Sequence, residues 1–334
     1  MLLQVLNTAR PTVRPQGASK RCDLCGCGRF ELIAHYDRNG QPLTTAMCLE
    51  CGLVCHAEIP SDVQLADFYA WQYRRAYHGE TVPSPRRVMR AWRNGQRILK
   101  RLRPWIPQNA KVLEVGAGIG CTVKAFQCAG YDAEGIDPGR DFIVYSRKRL
   151  LAPVEVADLY DVPPEPRYDL VLLVHVIEHF NSPRRALSHI RRLLKPTGQL
   201  YIECPNLAAP PASFEKLFHF AHVHNFTPAT LRSMTEQTGF QVQHVFSSDD
   251  HPNQQVLLRC SERAGGTIDR SNVAATRRSL ARSQSWARYH LRPRYVGRRV
   301  AKLAGYACEH LLGNWYVRNL ERRLARISGL PAML

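Results

Sequence analysis

No apolar run in the sequence approaches the roughly 18 residues that span a bilayer, so no membrane-spanning helix is expected. The first ten residues offer only a Leu-Leu-Gln-Val-Leu patch. No secretory signal is expected from it, and the expected location is cytoplasmic. No internal repeat is evident. Acidic residues are scarce: 28 Asp and Glu stand against 46 Lys and Arg, a net charge of +18. The deficit is uneven, because Cys260 to Leu334 holds fifteen basic and four acidic residues, or +11 of the +18. A second basic stretch runs from Arg74 to Arg103. Such a field attracts polyanions, whether nucleic acid, anionic lipid headgroups or phosphorylated glycan precursors.

What is present fits an ordinary globular protein. A chain of 334 residues, 45% hydrophobic and 9% aromatic, holds one large domain or a domain with attachments. Eleven cysteines in a cytoplasmic chain do not predict a disulfide framework. Four of them form two knuckles, Cys22-Asp23-Leu24-Cys25-Gly26 and Cys48-Leu49-Glu50-Cys51-Gly52, with 22 residues between them. Glycine after the second cysteine lets backbone amides turn towards the thiolates, and the spacing is that of a four-cysteine zinc ribbon. Four thiolates close the coordination sphere, so Cys22, Cys25, Cys48 and Cys51 predict a structural Zn²⁺. Cys27, Cys55 and His56 are spare donors.

The chain divides into a leader (1–18), the ribbon (19–60), a helical connector (61–108), an α/β domain (109–262) and a basic helical extension (263–334). In the connector, Ser84-Pro85 supplies a cap and a first-turn proline, and Val88, Met89, Trp92, Leu99 and Leu102 recur at helical spacing. From Lys111 to Glu203 strands alternate with helices, which predicts a mostly parallel sheet covered on both faces. A helix over Thr227–Thr238, capped by Thr227, and a hairpin of Gln241–Phe246 with Gln254–Leu258 close the domain.

The strand Val112-Leu113-Glu114-Val115 runs into Gly116-Ala117-Gly118-Ile119-Gly120 and then a helix. The glycines permit a tight turn and close approach of the backbone to a ligand. The spacing is G-x-G-x-G rather than G-x-G-x-x-G, and Glu114 favours a cation over a pyrophosphate. Asp137 follows Gly116 by 21 residues and ends the next strand, where an acid accepts ribose hydroxyls. Asp158 ends the strand after that and is placed to meet an adenine amino group. Three acids around a glycine turn describe a pocket for a positively charged nucleoside. The alternative is a tight turn with surface acids.

Residues 109 to about 260 resemble a class I S-adenosylmethionine-dependent methyltransferase, a Rossmann-like α/β fold. Glu114, Gly116, Gly118 and Gly120 match its first motif, Asp137 its ribose acid and Asp158 its adenine-side acid. Tyr168-Asp169-Leu170-Val171-Leu172 and Leu194-Lys195-Pro196-Thr197-Gly198-Gln199-Leu200 resemble its fourth strand and the turn into its fifth. The resemblance implies S-adenosyl-L-methionine bound by these residues with Ala117 and His175.

His175-Val176-Ile177-Glu178-His179 also fits the H-x-x-E-H string of some zinc peptidases. That chemistry needs a long helix and a further acidic ligand, whereas here the string follows an apolar strand. Methyltransferases resembling this one carry a similar string beside the methyl donor, which implies that His175 lines the cofactor pocket and that Glu178 and His179 face substrate. Ordinary packing at a helix start is the alternative. His219-Phe220-Ala221-His222-Val223-His224-Asn225-Phe226-Thr227 precedes the next helix and resembles a segment of methyltransferases acting on sugars and small metabolites. An alcohol nucleophile needs a base near neutrality, for which histidine suits. His224 is favoured here, then His222, with His179 also a candidate; the alternative is a structural loop histidine.

An N-terminal zinc unit before this domain resembles the sugar C-methyltransferases. Those enzymes generally end in a further α/β domain, where this chain ends in basic residues of helical pattern. The expected reaction is therefore methyl transfer to an oxygen or carbon of a small-molecule, glycan-linked or lipid-linked acceptor. An RNA methyltransferase and a non-catalytic binding protein are the alternatives. No Asn-Pro-Pro-aromatic string follows the fourth strand, and the arginines lack an interleaved stacking platform, so nucleic acid is the weaker partner. In the tail, Val296, Val300, Leu303, Ala307 and Leu311 form one helical stripe, with Trp315, Tyr316, Leu320 and Leu324 continuing it. Such a helix packs on its own domain, or lies on an anionic membrane surface as a peripheral attachment.

Overall fold

The computed structural model describes residues 21–69, 79–80, 82–210, 212–262, 265–284 and 293–327, without the side chains of 293–296, 298 and 299. The expected leader and the first residue of the tail stripe, Val296, lie outside that description. Among the described residues the strands are β1 Phe30–Tyr36, β2 Pro42–Cys48, β3 Val54–His56, β4 Lys111–Val115, β5 Asp132–Asp137, β6 Val154–Val156, β7 Tyr168–Val174, β8 Leu194–Pro205, β9 His224–Asn225, β10 Phe240–Val245 and β11 Asn253–Cys260. The helices are α1 Asp62–Asp67, α2 Pro85–Leu102, α3 Cys121–Cys128, α4 Arg140–Tyr145, α5 Pro183–Leu193, α6 Pro228–Gln237, α7 Ser271–Gln284 and α8 Pro293–Ile327.

Seven strands form the main sheet in the order β10-β11-β8-β7-β4-β5-β6. The five strands from β8 to β6 are parallel, and β10 and β11 close the edge antiparallel. This is the expected Rossmann-like α/β fold. The apolar strands read as continuous runs because both faces are covered. Leu113, Val171 and Leu173 point into one core, shared with Leu187, Ile190, Leu231 and Met234 of α5 and α6. Val112, Leu170 and Leu172 point into the other, shared with Val88 and Trp92 of α2 and Val123 and Phe126 of α3.

The helix starts are mostly as expected, with one revision. Thr227 caps α6, its hydroxyl accepting from the Thr230 amide at 3.2 Å, and Pro228 opens the first turn. At α2 the proline stands at the first turn, but the Ser84 side chain makes no cap. The Glu80 carboxylate accepts from the Ser84 amide at 3.1 Å instead.

The cysteine-rich unit does not stand apart from the α/β domain. Its strands β1, β2 and β3 form a second sheet whose fourth strand is β9, from the His-rich segment. Cys55 pairs with His224 and Val54 with Asn225. The sheet thus crosses the boundary expected at residue 60.

The last helix corrects the expected stripe. Leu311 is 82% exposed, Val300 62%, Leu303 61% and Trp315 65%, so these residues do not pack on the domain. The docked residues are Val317, Leu320 and Leu324, which enter the core beside Trp92. Glu309 pairs with Arg90, and Glu321 accepts from the Tyr145 hydroxyl at 2.8 Å. A straight α-helix drifts about 20° per heptad against a seven-residue repeat. One apolar line along 35 residues therefore cannot stay on one neighbour.

No described helix is long and apolar enough to cross a membrane.

Candidate functional site

At the C-terminal edge of the parallel sheet lies a pocket of about 500 Å³, where open α/β folds bind ligands. Glu114, Gly116, Ala117, Gly118, Asp137, Asp158, His175 and His179 all line it. Gly120, the remaining glycine of the loop, lies outside the lining and has a packing reason instead. It adopts φ +78°, and an added Cβ would lie 2.1 Å from Ser146 Oγ. At Gly116, φ is +73° and a Cβ would meet Val176 at 2.5 Å.

Asp137 locks the loop from the next strand. Its Oδ2 accepts from the Gly118 amide and its Oδ1 from the Gly139 amide, each at 2.8 Å. A carboxylate oxygen has a second lone pair, so each can also accept from a hydroxyl. Asp158 caps a single 3-10 turn, accepting from the Tyr160 amide at 3.0 Å. Partial burial raises its carboxyl above the usual range.

Glu114 is the electrostatic centre of the pocket. It is 5% exposed, and its Oε2 has no hydrogen-bond partner among the described residues. Burial pushes its pKa up to about 8, and the neighbouring Asp137 adds to the rise. A carboxyl so placed is neutral in a water-filled pocket and ionises when a cation arrives to pair with it.

Elements outside the glycine loop also enclose the pocket. Leu65, Ala66 and Tyr69, on and just after α1, and Ala91 and Asn94 of α2 lie over it. The helical pattern of the connector gave no sign of this. A second group missed from the sequence is Glu203 at the end of β8. Burial would raise its carboxyl, but Arg97 of α2, 2.6 Å away, outweighs burial and holds it below the usual range. Asn253 donates to Glu203 at 3.3 Å and approaches His175 Nε2 at 3.3 Å.

His175 adopts φ +57°, a left-handed backbone that costs a β-carbon residue energy and turns its ring into the pocket. Burial alone would lower the imidazole, but Glu178, at 3.4 Å from Nδ1, and Glu203 raise it above its ordinary value. The rest of the His-x-x-Glu-His string is a single 3-10 turn, Ile177–His179, not the long helix a zincin-type peptidase requires. Glu178 faces inward at 1% exposure, while His179 lines the pocket and its Nδ1 donates to the Ala221 carbonyl at 2.6 Å.

His222 and His224 do not line the pocket. They line a smaller cavity of about 140 Å³ behind it, with Glu178 and His219. The rings of His179 and His222 are 5.2 Å apart, so His179 bridges the two spaces. His224 is 1% exposed, with Nδ1 donating to the Phe180 carbonyl at 3.1 Å. Burial drives the His222 pKa well below normal and that of His219 to about 3, so both rings are neutral.

The four knuckle cysteines converge. Their sulfurs lie within 4.8 Å of one another, with Cys22–Cys51 and Cys25–Cys48 each at 3.5 Å. Four thiolates at about 2.3 Å around one ion stand some 3.8 Å apart, so the set fits a metal. The spare donors are elsewhere: Cys27 Sγ accepts from the Arg29 amide at 3.3 Å, and His56 Nε2 lies 3.3 Å from the His219 carbonyl. The unit is tied to α5 by Asp23, which accepts from Ser182 at 2.6 Å and from the Arg184 amide at 2.8 Å.

Residues 84–245 match a family model described as a methyltransferase domain. Among curated relatives, the chain is 25% identical over 154 residues to the ubiquinone biosynthesis O-methyltransferase of Photobacterium profundum, covering 40% of this chain and 65% of that one. It is 23% identical over 190 residues to the demethylmenaquinone methyltransferase of Clavibacter sepedonicus, covering 55% and 77%. The first of these matches thus spans a little under two thirds of the relative's length. Among solved structures, the 1,6-didemethyltoxoflavin-N1-methyltransferase of Burkholderia thailandensis aligns with a TM-score of 0.48 at 17% identity, over 64% of this chain and 98% of that one.

Proposed function

We propose, from the methyltransferase domain at residues 84–245, that this chain transfers a methyl group from S-adenosyl-L-methionine to an oxygen or carbon of an organic acceptor. The observation that carries the reading is Glu114: a buried carboxyl at the glycine turn whose Oε2 has no hydrogen-bond partner among the described residues. It suits the ammonium or sulfonium of this cofactor and opposes a pyrophosphate. Asp137 would hold the ribose, Asp158 the adenine side, and His175 the wall nearest the amino acid moiety.

The reaction is an in-line displacement. The acceptor atom attacks the methyl carbon, the sulfur–methyl bond breaks, S-adenosylhomocysteine leaves, and the acceptor's proton passes to a base. The histidine cluster supplies that base. His179 stands at the front, on the cofactor pocket, with His222 and His224 behind it. Relatives named as a ubiquinone biosynthesis O-methyltransferase and a demethylmenaquinone methyltransferase favour a small-molecule acceptor; a glycan-linked or lipid-linked acceptor is the other form of the reading.

The four-cysteine cluster holds structural Zn²⁺ in this reading, supported by the sulfur spacing. Its role is positional, since β3 of the ribbon carries β9 and therefore His224.

Transfer of labelled methyl from the cofactor to lysate fractions of small metabolites, lipids and glycans tests the reading. The expected result is label in an organic acceptor, lost in a Glu114→Ala variant. Label confined to RNA would contradict the acceptor class, and no label in any fraction would contradict the activity.

A further inference from the structure

Behind the cofactor pocket, Glu178, His179 and His222 each present a ligand atom within 4.8 Å of the other two. The geometry points to a second metal site here, distinct from the cysteine cluster: a mononuclear divalent ion held by two imidazoles and one carboxylate. The proposal rests on the reading above only in placing the acceptor beside His179.

Three observations converge on it. Glu178 is 1% exposed, and neither carboxylate oxygen has a hydrogen-bond partner among the described residues. His175 Nδ1 stands 3.4 Å from Oε1, an ion-pair distance. A buried carboxylate whose polar contact is a single imidazole at 3.4 Å is costly, and a cation between it and two further ring nitrogens removes that cost. Next, the ring of His179 is prepared as a ligand. Its Nδ1 donates to the Ala221 carbonyl at 2.6 Å, which places the lone pair on Nε2 and fixes the ring, as the outer partners of metal-bound histidines do. Finally, the three residues line both spaces: His179 the cofactor pocket, Glu178 and His222 the cavity behind it. An ion held between them keeps open positions on the pocket side.

Two nitrogens and one oxygen suit the borderline divalent ions, Mn²⁺ through Zn²⁺, rather than Mg²⁺ or Ca²⁺. Three protein ligands with open positions describe a reactive site, unlike the closed sphere of four cysteines. An acceptor hydroxyl bound to such an ion ionises near neutral pH, its proton leaving to solvent, and the oxygen is then ready to attack the methyl carbon. The ion thereby takes over the work assigned above to a histidine base, and His179 becomes a ligand.

Cobalt titration of the full chain, zinc-loaded at the cysteines, separates the two sites. Thiolate–cobalt charge transfer reports the cysteine cluster, and weak visible bands without it report nitrogen and oxygen ligands. The expected result is a second equivalent of Co²⁺ without sulfur bands, with affinity falling tenfold or more in Glu178→Gln and in His222→Ala. Both variants should keep the cysteine-bound equivalent, and His222→Ala should bind S-adenosylhomocysteine within threefold of the parent, since His222 does not line the cofactor pocket. These two controls exclude misfolding as the cause of a loss. A parent chain that binds no second equivalent, or variants that bind it as tightly, would overturn the site. Second-equivalent binding without any binding of S-adenosylhomocysteine would support the site and remove the methyltransferase reading.

Discussion

Glu114 sets the behaviour expected of the pocket at the scale of single residues. Its carboxyl is held near pKa 8 by burial, so a cationic ligand must bind together with loss of a proton below that pH. Affinity for S-adenosylmethionine should therefore rise with pH, by up to about tenfold per unit, and level off near pH 8. A Glu114→Gln variant should bind more weakly and show no such rise; calorimetry from pH 6 to 9 checks both. The same shift has a sign for stability. A raised folded pKa contributes stability that is complete below the unfolded value and lost as pH climbs through about 8. Relative to Glu114→Gln, the ligand-free parent should lose up to about 5 kcal/mol between pH 4.5 and 8, as denaturant unfolding would show. The glycines and Glu114 were legible because one tight turn leaves a fixed local spacing, and Asp137 and Asp158 because each stands at or just after the end of a strand in a regular alternation. Glu203 was not, since its partner Arg97 is 106 residues away in sequence, and nothing local to the His-x-x-Glu-His string marked Glu178 as buried.

At the scale of elements, the pairing of β3 with β9 joins the cysteine cluster to the histidines. The glycine loop belongs to the other sheet. Removing the metal from the cysteines, or replacing Cys25 with Ser, should abolish methyl transfer while leaving cofactor affinity within a few-fold, measured by assay and calorimetry on one preparation. Loss of both together would show that the two sheets do not separate in this way. The knuckle spacing made the cysteine cluster legible, but nothing in the sequence marked β9, because a two-residue strand carries no period. The tail shows the opposite failure. Its apolar spacing was real, yet packing chose Leu320 and Leu324 and left Leu311 in solvent. Leu324→Ala should cost about 2–4 kcal/mol and Leu311→Ala less than about 0.5 kcal/mol, read from denaturant midpoints. Equal costs would contradict the docking of this helix.

For the molecule as a whole, alternation of apolar runs with helical segments was enough to give the sheet, since a strand covered on both faces must be apolar throughout. The assembly around it was less legible. The ribbon and connector read as attachments, yet α1 and α2 enclose the pocket at the glycine turn; docking of the tail on its own domain was expected, but not which of its residues enter the core. Those contacts are long-range and leave no local pattern.

Whether this pocket takes a positively charged nucleoside is decided by isothermal calorimetry with S-adenosylmethionine and NAD. The expected result is one equivalent of S-adenosylmethionine bound at micromolar or tighter affinity at pH 8, with no heat from NAD. Binding of NAD, or of neither ligand, would contradict it.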